Sequence, residues 1–324
     1  MGANMAPKTL KTGLLFLGIL GLVGLALNSC TREPSVPEGR LYTIQPDEIS
    51  HLSIANLDPV KGSHWTAEMK RTPQSQNDWT ITSGPQGLSL LDGAADEKFI
   101  LHLLDTLSTL TTGTSESLKG TLAGFGLEPP HYVLKWTTFK GDTHQLELGA
   151  FVSQNTSTMR FARLENKAIT SVQGATIEML NHMSSFDALR KRRLSTMTTD
   201  DVDEFEIWNG KNKRLYAQRH GEDWVDAKSK RIPYNIHDFL EGITHLRVKA
   251  FLDDQTESAK LHEWIEKKST QRFVLKDRKG NASILKVAPK DGRLWALFST
   301  RGKQVYELFP EATHVLNTPY SSVR

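Results

Sequence analysis

The chain has 324 residues, of which 38% are hydrophobic and 24% charged, with a formal net charge of +3. That composition is ordinary for globular proteins and excludes a collagen-like chain, wholesale disorder and a polytopic membrane protein. At about 100–200 residues per domain the length predicts two domains. The single cysteine excludes an internal disulfide framework and a cysteine-rich metal site.

At the N-terminus, Lys8 and Lys11 precede an uncharged stretch from Thr12 to Asn28. Its apolar centre, Leu14 to Leu27, is 14 residues long. That fits the about 7–15 residues of a secretory-signal core and falls short of the about 20 that span a bilayer. The stretch ends in Leu27-Asn28-Ser29-Cys30, which resembles the bacterial lipobox, where lipoprotein signal peptidase cuts just before the cysteine. The resemblance implies residues 1–29 as a signal peptide and Cys30 as the site of lipid attachment. Several acyl chains, at about 0.8 kcal/mol for each buried CH₂, make a stable anchor. Loss of Lys8 and Lys11, with no acid, takes the net charge from +3 to +1, which argues against a nucleic-acid partner. Thr31 follows the cysteine, and by resemblance to the enterobacterial sorting rule it favours the outer membrane.

Residues 31–40 hold two prolines and a glycine without hydrophobic periodicity, and 30–40 read as a lipidated tether. Beyond it one pattern occurs twice. Ile49-Ser-His-Leu52-Ser-Ile54 alternates apolar and polar residues like a half-buried strand, and Val202-Asp-Glu-Phe205-Glu-Ile207 nearly repeats it. Trp79 and Trp224 each start a strand after a turn. An amphipathic helix follows in both halves: Ile100, Leu103, Leu104, Leu107 and Leu110 match Ile236, Phe239, Leu240, Ile243 and Leu246 at a constant offset of 136. Tyr132–Lys135 parallels Phe273–Lys276. Gln145–Leu148, Thr158–Leu164 and Ala168–Val172 are echoed by Ser283–Ala288, Leu294–Ser299 and Gln304–Leu308. A helix over Ala175–Arg192 closes the first half.

The predicted fold class is α+β: two tandem related units, each a mainly antiparallel sheet with one or two packed helices. The order within each unit reads as two strands, a helix, then three or four strands. The first unit takes 41–194 and the second, divergent, takes 195–324.

This duplicated pattern resembles bacterial domain-of-unknown-function family 4340. So do Gly124-Phe-Gly-Leu-Glu-Pro-Pro130 ahead of a strand and the Arg-rich Phe186–Leu194 segment at the junction. The second half has no Gly-Leu-x-x-Pro element, and Leu261-His-Glu-Trp264-Ile265 stands in that region. The resemblance implies a membrane-anchored protein facing away from the cytoplasm, often encoded beside ABC-type, gliding-associated transport components. It implies no activity and no catalytic residue.

Other constellations point to no reaction. Gly124–Pro130 lacks the Lys-Ser/Thr and following helix of a phosphate loop and reads as a turn. Arg190, Lys191, Arg192 and Arg193 suit a helix C-terminus, pairing with Asp200, Asp201, Asp203 or Glu204; the other reading is a partner or anionic-lipid contact. His237 and Glu241, or His102 and Asp105, share helix faces without a third ligand in the pattern, so no metal is expected. No serine-hydrolase elbow occurs, and Asp253-Asp254 and Asp200-Asp201 are too ordinary to nominate a glycosidase. The seven tryptophans read as core, with Trp264 the one to examine for exposure. No catalytic residue, cofactor or metal is predicted.

The expectation is a lipid-anchored, non-enzymatic envelope protein, facing the periplasm or exterior, that binds or scaffolds a protein partner. It would use sheet edges or an inter-unit groove, as an accessory to a transport or envelope complex. The alternative is an envelope hydrolase or small-ligand binder using the cleft between units.

Overall fold

The computed structural model describes residues 39–41, 44–59, 64–72, 78–85, 93–113, 118–153, 156–183, 185–232 and 236–316. The expected signal peptide, Cys30 and the tether as far as 38 lie outside them.

Two antiparallel eight-stranded sheets follow one another along the chain. The first comprises β1 (Ile49–Asn56), β2 (Trp65–Arg71), β3 (Trp79–Ser83), β4 (Thr111–Thr112), β5 (Tyr132–Thr138), β6 (Thr143–Ser153), β7 (Thr156–Leu164) and β8 (Ile169–Gln173). Its spatial order is β3-β2-β1-β5-β6-β7-β8-β4. The second comprises β9 (Val202–Asn209), β10 (Asn212–His220), β11 (Asp223–Val225), β12 (Val248–Leu252), β13 (Gln271–Asp277), β14 (Ala282–Lys290), β15 (Arg293–Phe298) and β16 (Val305–Leu308). Its order, β11-β10-β9-β13-β14-β15-β16-β12, is the same topology repeated. Even the register agrees. Asn56, Tyr132, Leu148, Ala162 and Thr170 stand in one row across the first sheet, and Asn209, Gln271, Val287, Ala296 and Tyr306 in the second.

Helix α1 (Glu97–Ser108) starts where the Asp96 carboxylate accepts from the Phe99 amide at 3.1 Å. Its Ile100, Leu103, Leu104 and Leu107 share one buried cluster with Leu52, Ile54, Leu134 and Leu146. The counterpart α3 (Ile236–Thr244) places Ile236, Phe239, Leu240 and Ile243 with Phe205, Ile207, Phe273 and Leu275. The matched apolar positions of the two sequence halves are therefore matched core positions.

Each unit has three strands before its helix rather than the expected two. The missed strands there are β2 and β10; after the helix come five strands rather than three or four, β4 and β12 being the unexpected ones. The inward positions of β2 are Trp65, Ala67, Met69 and Arg71, and the last is held by the carbonyls of Pro46 and Asp47 at 3.0 Å each. An alternation that turns an arginine inward hides from a hydrophobicity pattern. The helix expected over Ala175–Arg192 also divides. Helix α2 (Ala175–His182) stops, a 3-10 turn spans Phe186–Leu189, and the chain then runs extended.

The extended stretch joins the sheets. On one side Asp96 N donates to Leu189 O at 2.8 Å and Lys191 N to Ala94 O at 3.0 Å, while Ala95 N reaches Trp79 O of β3. On the other, Val248 N of β12 donates to Arg192 O at 2.8 Å and Leu194 N to Leu246 O at 3.1 Å. Residues 189–194 thus serve as a strand shared by one edge of each sheet. The two outer edges are also occupied, β4 by Gly39–Leu41 and β11 by Arg231–Ile232. Such coverage reduces the unpaired groups that invite an added strand, but β11 pairs only Gln218–His220 of β10 and β3 only Glu68–Arg71 of β2.

The opposite faces of the two sheets are covered differently. Helix α4 (Gln255–Lys268), capped by Asp254 on the Glu257 amide at 2.7 Å, buries Leu261 and Ile265 with Ala288, Trp295, Leu297 and Val305. In the first unit the Gly124–Pro130 loop takes that place. Phe125 meets Phe161 edge-on, and a Cβ at Gly149 would stand 2.1 Å from Phe125 O.

The Lys191, Leu194 and Val248 amides are expected to exchange hydrogen as slowly as core strands in native-state exchange by mass spectrometry or NMR. Exchange at the rate of an unstructured peptide would show the joining segment to be unpaired.

Candidate functional site

The four consecutive cations at the junction are spread over different tasks. Arg190 is enclosed, with its side chain 0% exposed. Its Nη1 lies 2.6 Å from Asp253 Oδ2 and 3.4 Å from Asp187 Oδ1, and its guanidinium carbon stands 3.6 Å from the Phe251 ring centre. Arg190 Nε and Nη2 and Asp253 Oδ1 have no hydrogen-bond partner among the described residues. Arg192 Nη1 donates to the carbonyls of Val248 and Lys249 at 3.1 and 2.9 Å. Arg193 Nε donates at 2.9 Å to Thr244 O, the last carbonyl of α3, where the helix dipole favours a cation. Arg301 donates back to the carbonyls of Lys191 and Arg193.

The expected downstream carboxylates are engaged elsewhere. Asp200 faces Arg219 at 4.0 Å, Asp201 accepts from Thr198, and Glu204 pairs with Lys276. The reason is geometric: the extended segment aims its side chains at β12 and α3, away from the start of β9. Lys191, Arg192 and Arg193 remain partly exposed.

A second constellation gathers at the end of β1, β5 and β7 beneath α2. Asp58 and Arg160 are 4% and 1% exposed, and Arg160 Nη2 is 3.6 Å from Asp58 Oδ2. Arg160 Nη1 donates to Gly149 O at 2.7 Å and lies 3.2 Å from His131 Nδ1, while Nη2 donates to Asn181 Oδ1 at 2.9 Å. The guanidinium lies against the rings of Phe151 and Tyr132. Burial lowers the pKa of His131; Asp58 opposes that and the Arg160 charge reinforces it. Burial also pushes the Tyr132 hydroxyl up to about 12. Its Oη donates to Leu180 O at 3.0 Å.

The Gly124–Pro130 loop touches this cluster at His131. Gly126 has φ 66, and a Cβ there would come within 2.7 Å of Ala150 N and 3.2 Å of His131 Nε2. Only glycine suits both the left-handed backbone and the close approach. Sequence reading found the loop and missed the cluster, because Asp58, His131 and Arg160 meet only through strand register. What the arrangement provides is an imidazole whose pKa burial lowers, set beside a paired, buried guanidinium. That is a proton-sensitive contact rather than an activated nucleophile.

The remaining sequence candidates fall on surfaces. His237, Asp238 and Glu241 are exposed on α3 with ligand atoms within 4.8 Å of one another, so Asp238 adds a third donor to the expected pair. His102 and Asp105 are both exposed on α1. Five tryptophans, Trp65, Trp79, Trp136, Trp224 and Trp295, are buried. Trp208 and Trp264 are half-buried beneath cations, Arg272 at 4.3 Å and Lys290 at 5.3 Å from the ring centres. No helix among the described residues is long and apolar enough to cross a membrane.

A family model described as Domain of unknown function (DUF4340) matches residues 79–263, more than half of the chain. No curated protein and no solved structure matches.

Replacing Arg190 by Ala leaves Asp253 enclosed without its cation, and a loss of about 3–5 kcal/mol is expected in urea denaturation. The double variant Arg190→Met with Asp253→Asn is expected to lose less than Arg190→Ala. A neutral result for Arg190→Ala would remove the pair from the list of structural supports.

His131 gives a second expectation. Its folded pKa lies below 6.5, so the unfolded chain takes up the proton first as pH falls. Stability should therefore be unaffected by this group above about pH 6.5 and decline below it, towards the folded pKa. Denaturation midpoints measured from pH 8 to 5 should fall less steeply for His131→Gln.

Proposed function

The chain belongs to the DUF4340 family, and from that premise we propose a lipid-anchored, non-enzymatic binding or scaffold protein of the bacterial cell envelope. Residues 1–29 are removed, Cys30 carries the lipid, and the body faces the periplasm or exterior, with the outer membrane favoured by Thr31. Its partner is a protein, within a transport or envelope complex. The two units, 41–194 and 195–324, each keep helices over a sheet face.

The observation that carries this reading is where the chain enters the fold. Thr112 N donates to Gly39 O and Leu41 N to Leu110 O, both at 2.9 Å, so residues 39–41 extend the β4 edge. Gly39 lies only nine positions after Cys30. At about 3.3–3.6 Å per residue the tether reaches at most about 30 Å. An anchor of that length holds the first sheet beside the membrane with its β4 edge nearest the lipid. The second unit extends beyond, attached through the 189–194 strand.

A partner meets the part of the β10 margin that β11 leaves unpaired, or sheet faces and loops. Arg190 is enclosed, which leaves Lys191, Arg192 and Arg193 as the members of the basic run that can touch a partner or anionic lipid. The seam between units is filled by Arg190, Phe186, Phe251 and Asp253. A small-ligand reading therefore finds better support inside the second unit than in that cleft.

In cells fed a palmitate analogue, the wild-type chain is expected to be labelled and membrane-bound, and Cys30→Ala to be unlabelled. Equal labelling of the two would overturn the anchor.

A further inference from the structure

Because the two ladders share one register, each position in the first sheet has a counterpart in the second. Tyr132 corresponds to Gln271, Leu148 to Val287 and Val172 to Leu308; Arg160, paired with Val172, corresponds to Leu294, paired with Leu308. A side-chain bond to the closing helix is repeated too. Tyr132 Oη donates to Leu180 O at 3.0 Å, and Gln271 Nε2 to Leu316 O of α5 (Ala312–Leu316) at 3.1 Å.

The filling of this shared place differs. In the first unit the Arg160 guanidinium occupies it, paired with Asp58 and bonded to Gly149 and Asn181. In the second the shorter Leu294 leaves a hollow of about 450 Å³. Val287, Leu294, Leu308 and Leu316 give it apolar walls. At the rim stand Lys249, Arg293 and Glu307. The Glu307 carboxylate, 9% exposed, is held by Lys249 Nζ at 2.6 Å, while Arg293 Nη1 stands off at 3.7 Å.

We propose that this hollow binds a small amphiphile with an apolar body and one acidic head group. The volume lies within the about 300–1,000 Å³ usual for ligand pockets, and the walls suit a hydrocarbon or ring. At the rim two cations face one carboxylate that Lys249 already satisfies. Arg293, with its side chain 59% exposed, keeps donors for a second carboxylate or a sulfonate, and such charge-assisted bonds are the stronger kind. A cationic head would meet two like charges. The first unit cannot bind the same ligand, since its own arginine fills the space. This site stands independently of the lipid anchor.

Isothermal titration of the full mature chain with decanoate, decanol and decyltrimethylammonium tests the proposal. Decanoate is expected to bind at one site, about tenfold or more tighter than decanol, with the cationic probe weakest. Leu294→Arg, which installs the first unit's residue, and Leu294→Phe, which fills the hollow with an apolar ring, should each abolish binding. Arg293→Gln should weaken decanoate about tenfold and leave decanol unchanged. Equal affinity for the three head groups, or undiminished binding by folded Leu294→Phe, overturns the proposal. So does binding that appears only in a chain ending at Leu316, because residues 317–324 would then be the natural occupant.

Discussion

Every backbone N–H and C=O at the margin of a β-sheet must find a partner or remain in water, and this protein is organised around that requirement. Two eight-stranded sheets present four margins, and each is taken up in part by a short stretch of the chain itself. The most consequential is 189–194, which bonds Ala94 and Asp96 on one side and Leu246 and Val248 on the other. Once backbone bonds commit that stretch, the basic run has nowhere to go but inward or along β12. Arg190 is thereby enclosed and needs Asp253. Arg193 finds the end of α3, and Arg301 closes over the same backbone.

Repetition of one topology does not mean repetition of chemistry. The rows of the two sheets coincide, yet the space under the closing helix holds an ionic cluster in one unit and an apolar hollow in the other. Enclosing Arg160 without compensation would be costly, so Asp58, Gly149 and Asn181 surround it. The second unit is free of that demand. There Leu294, Thr270 and Gln271 stand where arginine, histidine and tyrosine stand in the first. Likewise one outer face is covered by a loop threaded over Gly149 and the other by α4. Divergence has acted on fillings and covers while the ladder stayed fixed.

This contrast also explains what could be read in the residues alone. Ile100, Leu103, Leu104 and Leu107 match Ile236, Phe239, Leu240 and Ile243 because each set answers to the same buried surface, and local periodicity records burial. Strand β2 escaped because Arg71 faces inward. Helix α4 escaped because only Leu261 and Ile265 mark its buried side amid charged residues. The Asp58–His131–Arg160 cluster left no local trace, since its members meet only through strand pairing. The junction arginines were recognised as a staple, but their partners depended on an extended backbone where helix had been expected.

The entry of the chain along β4 has a mechanical side. Tension applied from the N-terminal end loads the Gly39–Thr112 and Leu41–Leu110 bonds first, before any core residue. Ile44, 6% exposed, is the next firm hold. Parting those two bonds would pay out about 17 Å of additional line, at about 3.3–3.6 Å per residue, without disturbing either core. The margin strand at the point of entry thus acts as a fuse, yielding length under load before the fold yields shape.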